Sequence, residues 1–270
     1  MPFIVLAASL DDLATDAQKF DEVLDHAILE EQTNSADALR EAGEELFPAV
    51  VAGSGSSSSR REVMEEDPVY VTARVDGYPV VFTDLPKAEW FAPYVREVIN
   101  QSIVSGYRDA GGLPKGLFGP ADAVTIEQLA KIAVQVAHVD SAGCSSSLKN
   151  ASAEDRWSEV FIRCAEQWGW AVFADGSVIV DQPATRAQVV ATILQAFGVK
   201  YDQRTGTVFS DVDGSVEFAN AIETAANDGI VSGYADAEGN ATGLFKPLDP
   251  VNRAEVAKIV TIALQVYGAN

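Results

Sequence analysis

Apolar positions recur at helical spacing in two stretches that look alike. Phe91, Val95, Val98 and Ile99 form one stripe, and Phe218, Ile222, Ala225 and Ala226 form another; each predicts a helix with one buried face. A further helix is predicted from about Thr125 and again from Asn252, where Val256, Ile259, Val260, Ala263 and Val266 make the apolar face. Thr185 and Asn252 are good N-cap types, and Glu255 stands three residues after Asn252 as in a capping box. Pro93 falls in a first turn, where its missing N–H costs little. Gly106 to Pro120 and Gly233 to Pro247 are glycine-rich loops. The period changes over 69–82, which reads as a β-hairpin turning at Asp76-Gly77, a pair suited to the positive φ values of a type I′ turn.

These elements repeat. Ile103-Val104-Ser105-Gly106-Tyr107 returns as Ile230-Val231-Ser232-Gly233-Tyr234, 127 positions later. At that offset Phe82–His138 aligns without a gap on Phe209–Gln265, with 22 of 57 positions identical. A more diverged copy lies between them: Thr185-Arg186-Ala187-Gln188 aligns with Asn252-Arg253-Ala254-Glu255, and Trp157 falls level with Trp90. Its loop is seven residues shorter, a change that loops absorb at small entropic cost. The chain is therefore read as three helix-loop-helix units, 82–140, 150–200 and 207–268. One such unit cannot bury its apolar face alone, so the three must pack on one another.

The first part of the chain is different material. Residues 1–52 are acidic and helical in pattern (Leu10–Glu31 and Ser35–Leu46), and 53–68 is a Gly/Ser-rich linker. The acidic helices read either as a stub of an assembly domain or as an arm. Met1–Ser9 is apolar and ends in small residues, which fits the tail of a secretory signal and equally a buried N-terminal segment.

Composition narrows the function. Nineteen basic against 40 acidic residues give a formal charge of −21, which opposes nucleic-acid binding and suits a self-repelling surface protein. No apolar stretch is long enough to span a bilayer as a helix. Cys144 and Cys164, the two cysteines, form either a disulfide of an exported protein or two thiols. The two histidines, His26 and His138, read as structural. There is no P-loop, no nucleophile elbow and no carboxylate pair at glycosidase spacing. An enzyme is a poor fit, and no cofactor is implied. Asp236–Gly243 has a faint likeness to a calcium loop but lacks the terminal Glu, so no metal site is assigned.

Taken together, Phe-x-Asp, an aromatic-led helix, Gly-Ile-Val-Ser-Gly-Tyr-x-Asp, Phe-x-Pro and Asn-Arg-Ala-Glu (Phe209 to Glu255) resemble the S-layer homology domain. The resemblance covers the three units and omits roughly the first 80 residues. It implies a mainly α fold, with three helix-loop-helix repeats in a pseudo-threefold prism around a central helical bundle. The short β-hairpin and the acidic helices precede it. It also implies non-covalent anchoring of a surface protein to the bacterial cell envelope, in an extracellular, wall-associated location. The expected partner is an anionic, often pyruvylated, cell-wall polysaccharide. The arginine of the helix-opening motif is expected to meet the ligand's carboxylate.

The chemistry agrees with that role. A sugar carboxylate suits the planar guanidinium fork of Arg186 and Arg253, and a helix N-terminus adds free N–H groups. Thr185 and Asn252 open those helices beside the arginines. Gly106-Tyr107 and Gly233-Tyr234 offer a close backbone approach and rings that stack on sugar or pack in the core. Trp90 and Trp157 are either ligand walls or core. Asp175 and Asp236 are loop carboxylates near the site, and each is also a candidate partner that would reduce its arginine to a structural role. Two departures stand out: Ile126 replaces the arginine in the first unit, and Phe173-Ala174 replaces Gly-Tyr in the second. One or two working grooves are therefore expected. The competing reading is a structural surface-assembly protein whose repeats contact copies of themselves or other surface proteins, without a glycan site. A third, an uncharacterised hydrolase, would show turnover that survives Arg253→Ala.

Overall fold

The computed structural model describes residues 67–201, 208–236 and 240–268. The acidic region, most of the linker, His26 and three positions of the calcium-like loop lie outside the described residues. An antiparallel hairpin, β1 (Tyr70–Val75) and β2 (Tyr78–Pro86), leads into six helices: α1 (Ala92–Asn100), α2 (Ile126–Val136), α3 (Glu159–Gln167), α4 (Arg186–Ala196), α5 (Ala219–Asn227) and α6 (Arg253–Tyr267).

Asp76 and Gly77 turn the hairpin at φ 49° and 85°, as an Asp-Gly pair allows. β2 runs on past Phe82, the expected end of the hairpin. The Phe-Thr-Asp opening of the first unit is itself strand: Thr83 N–H donates to Gly116 O at 2.9 Å and Lys87 N–H to Val69 O at 2.8 Å. Val71, Ala73 and Val75 are buried on one face of β1, and β1 packs on α1.

A first helix does not pack chiefly on the second helix of its own unit. Instead α1 packs on α6, α3 on α2 and α5 on α4, while α4 touches both α2 and α6. Val95, Ile162 and Ile222, the same position in the three units, are each 0% exposed. Each unit thus completes its core with a neighbour's helix, which is the physical reason a single copy would leave its stripe in water. Thr261 in α6 reinforces one such contact by donating to Tyr94 O of α1 at 3.1 Å.

The connection is closed at the backbone. Val124 N–H donates to Val251 O (3.0 Å), Val251 N–H to Ala184 O (3.3 Å), and Ala184 N–H to Val124 O (2.8 Å). These residues precede the N-caps of α2, α6 and α4. The next two N–H groups of each helix also go to the neighbouring unit. Ile126 and Glu127 donate to Gln182 and Val180, Arg186 and Ala187 to Asp249 and Pro247, and Arg253 and Ala254 to Asp122 and Pro120. The third N–H of each bonds its own N-cap side chain, Thr125, Thr185 or Asn252, in a full capping box. This corrects one expectation. The starts of α2, α4 and α6 offer no free N–H groups in their first three positions, because the fold spends them on joining the units.

Other differences are local. The first helix begins at Ala92, with Pro93 in its first turn; Trp90 precedes it and is 52% exposed. Phe218 is the N-cap of α5, at φ 60°, rather than part of its stripe. Val266 leaves the apolar face of α6 and is exposed, while Tyr267 beside it packs on Phe197. Cys144 and Cys164 are joined in a disulfide, Cα–Cα 5.1 Å, tying the Ser-rich connector to α3.

Candidate functional site: two like grooves between units

Arg186 and Arg253 are the first residues of α4 and α6. Their backbone N–H groups are used in the unit-to-unit bonds, so each side chain leaves the helix at a junction. Each guanidinium lies against two rings of the next unit. Arg253 sits 5.1 Å from the Tyr107 ring centre and 4.7 Å from that of Phe118. Arg186 sits 5.0 Å from both Tyr234 and Phe245. Cation–π contact of this kind holds the charge without consuming its hydrogen-bond donors.

An open groove surrounds each arginine. The first, of about 100 Å³, has walls formed by Gly106, Tyr107, Gln128, Lys131, Trp157 and Arg253. The second, of about 320 Å³, has walls formed by Gly233, Tyr234, Glu255, Lys258, Trp90 and Arg186. Position by position these are the same site, and all three units contribute to each. The arginine comes from one unit, the Gly-Tyr pair and the lysine from the next, and the tryptophan from the third. Lys131 lies 5.3 Å from the Trp157 ring centre, and Lys258 lies 5.7 Å from that of Trp90. A cation beside an indole and a guanidinium suits a planar or anionic group.

The third junction lacks these features together. Ile126 takes the arginine position, Ala174 the tyrosine position, Ala191 the lysine position and Glu217 the tryptophan position. The two departures seen in different units of the sequence fall on one interface. Between the first two units, Arg156 donates to both oxygens of buried Glu127 (3.0 and 3.1 Å), and Ser158 Oγ donates to the same carboxylate at 2.7 Å, joining the start of α2 to the start of α3. Two grooves remain.

The glycines of the Gly-Tyr pairs have a steric cause. At Gly106 (φ +74°) an added Cβ would lie 2.6 Å from Leu117 O and 2.8 Å from the Phe82 ring. At Gly233 (φ +74°) it would lie 2.7 Å from Leu244 O and 2.8 Å from the Phe209 ring. The opening Phe and the loop Gly are thus one contact, and the groove wall depends on it. The loop is held in turn by the Asp of Phe-x-Asp. Asp84 accepts from Phe118 and Gly119 N–H, and Asp211 from Phe245 and Lys246 N–H. Asn150 does similar work in the middle unit, its Oδ1 accepting from Val178 N–H at 3.1 Å.

The remaining residues singled out from the sequence stand apart. Thr185 and Asn252 cap their helices and are not among the residues lining either groove. Asp175 is fully exposed in its loop, where the Ser177 hydroxyl and N–H, at 2.8 and 3.0 Å, hold its carboxyl below the ordinary range. Asp236 accepts from Asn240 N–H at 2.7 Å. The carboxylate that meets Arg186 is Glu255, with Oε1 3.6 Å from Nη1. Burial, followed by the charge of Glu255, pushes the Tyr234 phenol up from its ordinary value, and Arg186 opposes part of that. Lys131, Lys258, Phe118 and Phe245 were missed as site residues. Their signal was present, since Lys131/Lys258 and Phe118/Phe245 are identical pairs at the 127-residue offset. Among the described residues no group of three His, Cys, Asp or Glu side chains is placed to hold a metal ion, and no helix is long and apolar enough to cross a membrane.

Two curated proteins are similar to this chain. An endoglucanase of Bacillus sp. (strain KSM-635) is 23% identical over 188 residues, 68% of this chain and 18% of its own length. A cellulosome-anchoring protein of Acetivibrio thermocellus is 29% identical over 163 residues, 57% of this chain and 35% of its own length. The chain therefore spans well under half of either relative. Residues 208–257, which carry α5, the Gly233-Tyr234 loop and the start of α6, match the S-layer homology domain.

Proposed function

We propose that the chain anchors a protein non-covalently to the bacterial cell envelope by binding an acidic wall polysaccharide in the grooves at Arg253 and Arg186. In this reading all three units are S-layer homology repeats, arranged as a pseudo-threefold prism around α2, α4 and α6. The carrying observation is the recurrence of one constellation, arginine between Tyr and Phe rings with a lysine beside a tryptophan, in two open grooves of a strongly acidic protein. A guanidinium in the wall of a groove on such a surface favours an anion that its surroundings would otherwise repel. The match of residues 208–257 and the anchoring relative support the same role. The disulfide fits export to an oxidising compartment. The chain itself acts by binding, without catalysis.

A pull-down of the full chain on purified Gram-positive wall sacculi tests this. Binding should fall at least tenfold on Arg253→Ala and on chemical removal of wall polysaccharide. Binding that survives both treatments would assign the repeats to protein partners or to self-assembly.

A further inference from the structure

The two grooves share a scaffold but not an electrostatic state. In the first, Arg253 Nε donates to Phe118 O at 2.8 Å, which anchors the side chain in the groove wall. Arg253 forms no ion pair among the described residues, and the third residue of α2, the helix that walls this groove, is the neutral Gln128. In the second groove that position is Glu255. One oxygen of Glu255 accepts from Asn252 N–H at 3.1 Å, completing the capping box, and the other faces Arg186 Nη1 at 3.6 Å. Arg186 is only 8% exposed, and its Nε is buried without a partner. The guanidinium there has given up the carbonyl anchor and is matched to a carboxylate.

The other charges nearby do not reverse this contrast. Arg108 lines the first groove but is paired with Asp76 at 2.6 Å, and Tyr107 donates to Asp122. Near the second groove, Lys246 pairs with Asp249 at 3.9 Å and lies 4.6 Å from the Tyr234 ring centre, where the first has Gly119 and Asp122; none of these four lines a groove. Lys131 and Lys258 occupy equivalent positions and cancel in the comparison. Among the lining residues, the difference beside the guanidinium is Gln128 against Glu255.

We infer that the grooves divide the work: the Arg253 groove takes the carboxylate-bearing sugar, and the Arg186 groove takes an uncharged sugar. The inference rests on reading both grooves as wall-glycan sites and specifies what each accepts. An acidic sugar entering the second groove meets Glu255 at close range and competes with it for Arg186. A neutral sugar meets a different surface there. The Arg186–Glu255 pair presents donors and acceptors side by side, which suits hydroxyls that both donate and accept, and Trp90 supplies an apolar platform for a ring face.

Trp157 lines only the first groove and Trp90 only the second, so their indole N–H resonances report each site separately. The full chain, labelled with 15N and assigned with Trp→Phe variants, is titrated with a disaccharide carrying one pyruvate ketal and with the same disaccharide after ketal removal. The acidic probe should move Trp157 with a midpoint about tenfold below that for Trp90, as one unit charge at groove distance implies. The neutral probe should move Trp90. Glu255→Gln should bring the acidic-probe midpoint at Trp90 down about tenfold, and Gln128→Glu should raise that at Trp157 by a similar factor. Both variants keep the capping box, which accepts either residue. Equal midpoints in the parent chain, or a Trp90 response to the acidic probe that Glu255→Gln leaves unchanged, would overturn the division of labour alone. No response of either indole to either probe would overturn the wall-glycan reading with it.

Discussion

Single side chains decide the shape and charge of the grooves. At Gly233 a methyl group has nowhere to go, since both a carbonyl and the Phe209 ring lie under 3 Å from it, and the positive φ adds backbone strain. Gly233→Ala should cost about 2–3 kcal/mol, read as a lower urea midpoint with an unchanged m-value. Tyr234 offers a second readout. Its phenol is raised first by burial and then by Glu255, so Glu255→Gln should lower its pKa, measurable by NMR titration of its ring resonances. Tyr201 and Tyr267 are raised as well, both first by burial and Tyr267 further by its bond to Asp228. A raised tyrosine contributes stability that is whole below the unfolded-state value, about 10, and is lost as pH climbs through the folded-state values. The thermal midpoint should therefore decline above pH 10, and Glu255→Gln should soften the part due to Tyr234.

At the scale of elements, helix starts serve as fasteners. α2, α4 and α6 each satisfy three N–H groups by contact with a neighbour's loop and their own N-cap, so capping and unit assembly are a single event. The capping residues were legible from Thr185, Asn252 and Glu255, whereas the neighbour carbonyls were not, because nothing local marks a carbonyl 53 to 134 residues away as a helix cap. The Cys144–Cys164 bridge secures α3 against the connector that follows α2. It closes a separation of 20 residues, for which loop-closure entropy gives about 3 kcal/mol. Reduction, or the paired Cys→Ser variant, should lower unfolding free energy by about 2–4 kcal/mol in denaturant titrations run with and without reductant.

At the scale of the molecule, the exchange of helices between units makes the fold one cooperative body. α1 needs α6, and α4 needs both α5 and α6, so a chain ending at Tyr201 would leave two apolar stripes uncovered. Truncation there should give a weakly structured product lacking a sharp thermal transition by circular dichroism. The full chain should unfold residues 67–268 in a single step. Two separate transitions, with the first two units stable alone, would contradict the closed cycle of contacts.

The sequence alone determined the kinds of pieces: helical stripes, Asp-Gly turn, capping boxes, the 127-residue repeat, and the arginines, tyrosines and tryptophans worth watching. Those follow from local periodicity and from the repeat, which a linear chain displays openly. Only the tertiary structure decided which pieces meet. It placed the losses at Ile126 and Ala174 on one junction, brought Trp157 to Arg253 and Trp90 to Arg186, and chose Glu255 over Asp175 and Asp236 as the partner of Arg186. The reason is that each groove is assembled from three units far apart in sequence. Its composition depends on the cyclic order in which those units pack, and no one segment carries that order.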